Sequence, residues 1–196
     1  MGLSSLPKSL HHKYEISEIH HATAILKEDF PNEYLDIVEI LDSFILKKSM
    51  IVAKGKNKSP ISKYIDSEFY SRGWKETNFD TKVKVDNVEY DSPTHKIDCY
   101  KNKIALEIEW NNKDPFYDRD LNNFRLLYSL GVISVGVIVT RCTELQKIFD
   151  SLGKGSSYGN STTHLGKLQP RILGRGSGGC PVLIFGISKN LYDPSL

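Results

Sequence analysis

Apolar residues recur along this chain at two different periods, and the switches between them outline a fold. From Asn32 to Leu46, Leu35, Val38, Leu41, Phe44 and Ile45 fall at helical spacing and predict an amphipathic helix. Ser59-Pro60 reads as a helix start, with serine as cap and proline in the first turn. Ile61, Ile65 and Phe69 supply its apolar stripe, and Gly73 stops it. Thr81 to Val85 alternates as a strand. Ile97 to Tyr100 and Ile104 to Trp110 read as two more strands, the second with Ile104, Leu106, Ile108 and Trp110 apolar at every second position. Asn111 to Pro115 is a polar loop. Tyr117 to Leu130 is predicted helical, with Leu121, Phe124, Leu127 and Leu130 inward and Gly131 as its stop. Val132 to Thr140 is almost wholly apolar, as in a strand buried on both faces. Thr143 to Leu152 is a short helix, and Pro181 to Ile187 another buried strand. Gly153 to Gly179, rich in Gly, Ser and Thr, reads as loop. This order predicts an α/β fold, a central mixed β-sheet flanked by helices on both faces. Residues 1–196 carry no repeat and no internal boundary and read as a single domain, with the structure of residues 1–30 left open.

The alternation has a chemical consequence. Glu107 and Glu109 point together to the face opposite Leu106 and Ile108, roughly 6–7 Å apart along the strand. If Asn102-Lys103 makes a two-residue turn, Asp98 lies directly across from Glu107, with Cβ atoms roughly 4.5–5.5 Å apart. Like charges facing each other destabilise a sheet, so a patch holding Asp98, Glu107 and Glu109 is costly unless a cation joins it. Magnesium, which takes hard oxygen ligands, is the natural candidate. The plainer reading is a hairpin with a polar, solvated face.

Charge distribution adds to this picture more than net charge, which is only +2. Between Asp42 and Asp66 there is no acid, but there are Lys47, Lys48, Lys54, Lys56, Lys58 and Lys63. Between Asp150 and Asp193 there is again none, but there are Lys154, Lys167, Arg171, Arg175 and Lys189. Many acids gather between Glu76 and Asp120. Basic flanks around an acidic centre suit an enzyme that grips phosphates and cuts one of them, although lysine-rich surface loops produce the same bias. No apolar run approaches a membrane span, and the N-terminus lacks a signal-peptide core. Cys99, Cys142 and Cys180 fit neither a disulfide framework nor a zinc site and point to a reducing cytoplasm.

Other motifs fall away. Gly174-Arg175-Gly176-Ser177-Gly178-Gly179 matches G-x-G-x-x-G, but a strand follows it and no helix, so no nucleotide cofactor is expected. It reads as a loop whose backbone could approach a phosphate. Gly153-Lys154-Gly155-Ser156-Ser157 lacks P-loop spacing. His11, His12, His20 and His21 lack metal-ligand spacing. No elbow motif supports a serine nucleophile with His164.

The stretch from Ile97 to Ile187 resembles the restriction endonucleases of the BglII and BstYI type, relatives of BamHI within the PD-(D/E)xK nuclease fold. The resemblance rests on Asp98 and the strand Ala105-Leu106-Glu107-Ile108-Glu109-Trp110. It continues through the polar loop, an aromatic, a helix and the strand ending Val137-Ile138-Val139-Thr140. It closes with Gly174-Arg175-Gly176 leading into Pro181-Val182-Leu183-Ile184-Phe185-Gly186-Ile187. Lys56 to Glu76, with Gly73-Trp74-Lys75-Glu76, is also similar. One departure matters: the superfamily usually carries lysine at the third motif position and the BglII branch glutamine, whereas this chain has Glu109, as in the BamHI pattern. That leaves the choice between one metal ion and two open.

The resemblance implies a restriction-endonuclease-like core and a type II site-specific deoxyribonuclease. Such an enzyme would hydrolyse double-stranded DNA with Mg²⁺ at a short palindrome, as part of a restriction-modification system. Asp98 and Glu107 would hold the metal, and Glu109 would orient or deprotonate the attacking water. Asn111, Asn112 and Lys113, directly after the catalytic strand, would read bases in the major groove. Ser156, Ser157 and Arg175 are further candidates for base or backbone contact, and Arg119, Lys56 and Lys58 for phosphate contact. A palindrome is most simply read by a homodimer. The alternatives are a repair or recombination nuclease of the same fold, and a DNA-binding module without catalysis.

Overall fold

The computed structural model describes residues 2–53, 58–91 and 94–196. The chain begins with helix α1 (Lys8–Lys13), strand β1 (Tyr14–Ile19) and helices α2 (Ala22–Asp29) and α3 (Pro31–Ser43). Strand β2 (Leu46–Lys47), helices α4 (Lys48–Val52) and α5 (Pro60–Ser71) and strand β3 (Lys75–Thr77) come next. A ribbon of β4 (Lys82–Val85) and β5 (Val88–Asp91) precedes the hairpin β6 (Ile97–Lys101) and β7 (Ile104–Glu109). Then come α6 (Phe116–Ser129), β8 (Val135–Arg141), α7 (Gln146–Ser151), α8 (Leu165–Leu173), β9 (Val182–Ile187) and β10 (Tyr192–Asp193).

Six strands form one mixed sheet in the order β1-β9-β8-β7-β6-β3. The middle strands β7, β8 and β9 are parallel, and β1, β6 and β3 join antiparallel. The two faces bury separate clusters. On one, Leu106, Ile108 and Trp110 pack with Ile61, Ile65 and Phe69 of α5 and with Ile37 and Leu41 of α3. On the other, Ala105, Ile138 and Ile184 pack with Tyr117, Leu121, Phe124 and Leu127 of α6 and with Leu165, Leu168 and Ile172 of α8. The predicted architecture, helices on both faces of a mixed sheet, is therefore the observed one. The apolar run in β8 is buried throughout, as a central parallel strand requires. Gly136 lets α6 lie close to that strand, because a Cβ there would come within 2.4 Å of the Phe124 ring.

Local signals also carry over. Ser59 Oγ accepts from the Ser62 N–H at 3.0 Å and caps α5. Gly131 ends α6 at φ 71°. Asn102 and Lys103 both have positive φ, 43° and 68°, as the two-residue turn of a hairpin demands.

Elsewhere the sequence reading needs correction. The N-terminal segment left open is ordered, and β1 pairs with β9 from Tyr14–Ile187 to Ile19–Val182. The predicted loop 153–179 contains α8, whose Leu165, Leu168 and Ile172 face the core at helical spacing that the surrounding glycines disguised. The helix predicted over 32–46 stops at Ser43, and Leu35 and Ile45 are exposed. Leu130 points outward. The strand at Lys82–Val85 lies outside the main sheet, paired only with β5.

Candidate active site

Pairing between β6 and β7 runs from Lys101–Ile104 to Cys99–Leu106 and then stops. At the next position the ladder is replaced by side chains. The Ile108 N–H donates to Asp98 Oδ2 at 3.0 Å, and the Asp98 N–H donates to Glu107 Oε2 at 3.3 Å. The predicted hairpin register thus brings Asp98 and Glu107 together where the strands part. Asp98 is 25% exposed and opens into a cleft of about 390 Å³. Lys58, Asp98, Glu109, Asn111, Asn112 and Arg119 are among the residues lining it.

The surroundings of the glutamates differ from the plainer reading of a solvated face. Glu107 and Glu109 are 2% and 1% exposed, covered by α6. Asp120 of α6 is wholly buried beside them, with Oδ1 held by Arg119 Nε and Nη2 at 3.0 and 2.8 Å. Burial pushes the Glu107 pKa well up, and the charges of Asp120 and Asp98 push it further. Glu109 is raised to about 9 by burial and by Asp120, against the pull of Asn112 and Arg119. Burial raises Asp120 to about 6, with Arg119 opposing. Asp120 went unnoticed in the sequence. Its signal is an acid three residues after Tyr117 and four before Phe124, on the apolar face of an amphipathic helix.

The expected trio is not a ready-made ligand set: among the described residues no group of three His, Cys, Asp or Glu side chains could hold a metal ion. Glu109 instead accepts from Asn112 Nδ2 at 3.0 Å and lies 3.6 Å from Arg119 Nη2. Glu107 Oε1, however, is buried with no hydrogen-bond partner. An orphaned carboxyl oxygen beside a second carboxylate fits a divalent cation completed by water and phosphate oxygens, a charge that would draw Glu107 into its ionised form.

The remaining candidates divide. Asn111 and Asn112 line the cleft and are laced to the chain segment 155–163. Asn111 Nδ2 donates to the Ser157 carbonyl at 3.0 Å, and the Asn112 N–H to Thr163 Oγ1 at 3.2 Å. Lys113 bridges to Thr162 and is exposed outside the cleft. Ser156 and Ser157 are exposed, and Ser157 lines an adjoining cavity with Asn111 and Lys154. Arg175 lies elsewhere, in a pocket with Ile19, His20, Ile172 and Leu173. Lys56 falls outside the described residues.

Sequence reasoning missed what fastens segment 155–163. Arg141, at the end of β8, is 1% exposed and donates through Nη2 to the Tyr158 carbonyl at 3.1 Å and to Thr162 Oγ1 at 2.9 Å. Its guanidinium sits 5.2 Å from the Phe149 ring centroid and 5.7 Å from that of Tyr158. The Trp110 indole N–H donates to the Tyr158 hydroxyl at 3.3 Å, which ties the same segment to the carboxylate-bearing strand.

A metal-compatible acidic floor between cationic walls is suited to phosphodiester chemistry. Among the described residues no helix is long and apolar enough to cross a membrane. The family model for restriction endonuclease BglII/BglIII matches residues 14–187, from the first residue of β1 to the last of β9. A search of curated proteins finds no significant match. The chain belongs to the BglII/BglIII family of type II restriction endonucleases, phosphodiester hydrolases that act on double-stranded DNA and generally use a divalent metal.

Proposed function

We propose that this endonuclease cuts double-stranded DNA at a short palindrome with Mg²⁺, as a homodimer serving a restriction-modification system. Residues 1–196 act as one endonuclease domain in this reading, and the buried free cysteines suit a reducing cytoplasm. The observation that carries the reading is the orphaned, buried Glu107 Oε1 beside Asp98, which opens into a cleft lined by Lys58 and Arg119. Asp98 and Glu107 would hold the cation, which when bound polarises a phosphate and acidifies a water. Glu109 would receive the proton of that water. Its carboxylate form is opposed by burial and by Asp120, and favoured by Asn112 Nδ2 and by Arg119. Arg119 and Lys58, which line the cleft, would hold phosphate oxygens. A palindrome read by two-fold-related copies accounts for the homodimer.

Incubating a sequenced plasmid with the purified protein, with Mg²⁺ or with EDTA, tests this. The expected result is a fixed set of ends with Mg²⁺ and intact plasmid with EDTA. Cleavage at scattered positions would favour a repair nuclease, and binding without any nicking would favour a DNA-binding module.

Asn112 is assigned to base reading with Asn111 and Lys113. Its side chain already engages Glu109, so reading and cutting share one residue. Asn112→Ala is expected to relax discrimination between sites by about 1–3 kcal/mol per base pair and to slow cutting at the cognate site. Rates on cognate and single-mismatch duplexes measure both effects, and unchanged ratios would refute the assignment.

A further inference from the structure

Lys58 occupies an unusual place. It immediately precedes the Ser59 cap of α5 and forms an ion pair with Asp66 of that helix. The same ammonium lies 3.5 Å from Asp98 Oδ1, so one cation is shared between two carboxylates. Asp66 is 4% exposed, and Asp98 is strapped to the same helix by the Tyr70 hydroxyl, which donates to its carbonyl at 3.0 Å. Glu109 brings no positive charge to the cleft, and Arg119, which also lines it, is paired with Asp120 and Glu109. Among the described residues, Lys58 is therefore the cation paired with Asp98.

Given the metal assignment above, on which this rests, we propose that Lys58 is the resident counter-ion of Asp98. A divalent cation must displace it, and Asp66 is the second anchor that keeps the released ammonium at the cleft wall, within reach of a substrate phosphate. The lysine neutralises Asp98 while no metal is present and competes with the metal for the same oxygen. Asp66 sets the terms of that competition: the more firmly it holds Lys58, the more readily Asp98 is surrendered.

Mn²⁺ serves as the probe, its binding to the DNA-free protein followed by electron paramagnetic resonance. Lys58→Met removes the competitor and is expected to tighten Mn²⁺ binding by about tenfold. Asp66→Asn weakens the second anchor, leaves the ammonium to Asp98 and is expected to loosen Mn²⁺ binding. Asp98→Ala should bind none. If Lys58 only fastens α5, Lys58→Met will melt at a lower temperature with unchanged Mn²⁺ affinity, and the inference fails. Lys58→Gln repeats the comparison should the methionine variant not fold. Wild-type protein that binds no Mn²⁺ would overturn the metal assignment and this inference together. Binding that requires Asp98 but ignores Lys58 would overturn this inference alone.

Discussion

Glu107→Gln is expected to abolish DNA cleavage while making the metal-free protein more stable. The loss should reach about a thousandfold or more, because a carboxylate holding a cation at a phosphate supplies several kcal/mol of transition-state stabilisation. The stability gain has the same origin. Glu107 is buried against Asp98 and Asp120, and one of its oxygens has no partner. An amide of nearly the same shape removes that repulsion. A gain of about 1–2 kcal/mol corresponds to a rise in melting temperature on the order of 2–8 °C. Asp98→Ala should lose cutting to the same extent. Both variants should still retard DNA in a gel, since Lys58 and Arg119 remain. Plasmid cleavage within tenfold of wild type by either one would end the assignment. The opposed movement of activity and stability separates a functional carboxylate from a structural one, whose loss lowers both.

Arg141→Ala is expected to cost about 3–5 kcal/mol of stability, a fall in melting temperature on the order of 10 °C. The side chain is large and fully buried, its Nη2 is matched to the Tyr158 carbonyl and Thr162 Oγ1, and its flat cationic face lies over Phe149, although Nε is buried without a partner. Deleting it leaves a cavity and strands the Tyr158 carbonyl that accepted from it. Arg141→Met fills most of the volume without the donors and should recover roughly half of the loss. Both variants should bind cognate DNA with reduced sequence preference, because segment 155–163, laced to Asn111 and Asn112, loses its anchor. Thermal melting and binding to cognate and mismatched duplexes measure the two effects. A melting temperature within 2 °C of wild type would show that the burial contributes little.

How far the site could be read in the sequence depended on the range of the interaction. The hairpin was legible because alternation, the Asn102-Lys103 turn and the strand period are all local, and together they place Asp98 beside Glu107. Strand period says which face a residue points to and nothing about what covers that face. The period therefore groups Glu107 and Glu109 as one carboxylate patch without showing that α6 seals them in with Asp120. Asp66 was hidden for the same reason: its meaning comes from Lys58 and Cys99, which are remote in the structure's logic from the α5 stripe of Ile61, Ile65 and Phe69. Arg141 follows an apolar run, and nothing local in the sequence marks it as buried. Its aromatic shelter comes from Phe149 and Tyr158, in segments that composition marked as a short helix and a loop.

The strand at Tyr14–Ile19 has a consequence beyond its place in the sheet. It covers the outer margin of β9, whose six residues are all buried. Begun after residue 20, the chain would present that margin as an unpaired, oily template for neighbouring molecules, the usual starting point for insoluble assemblies. With Glu15 and Glu18 on the strand that replaces it at the border, the intact protein offers such growth a charged and unwelcoming rim. Solubility during expression would then hang on the least conspicuous stretch of the sequence.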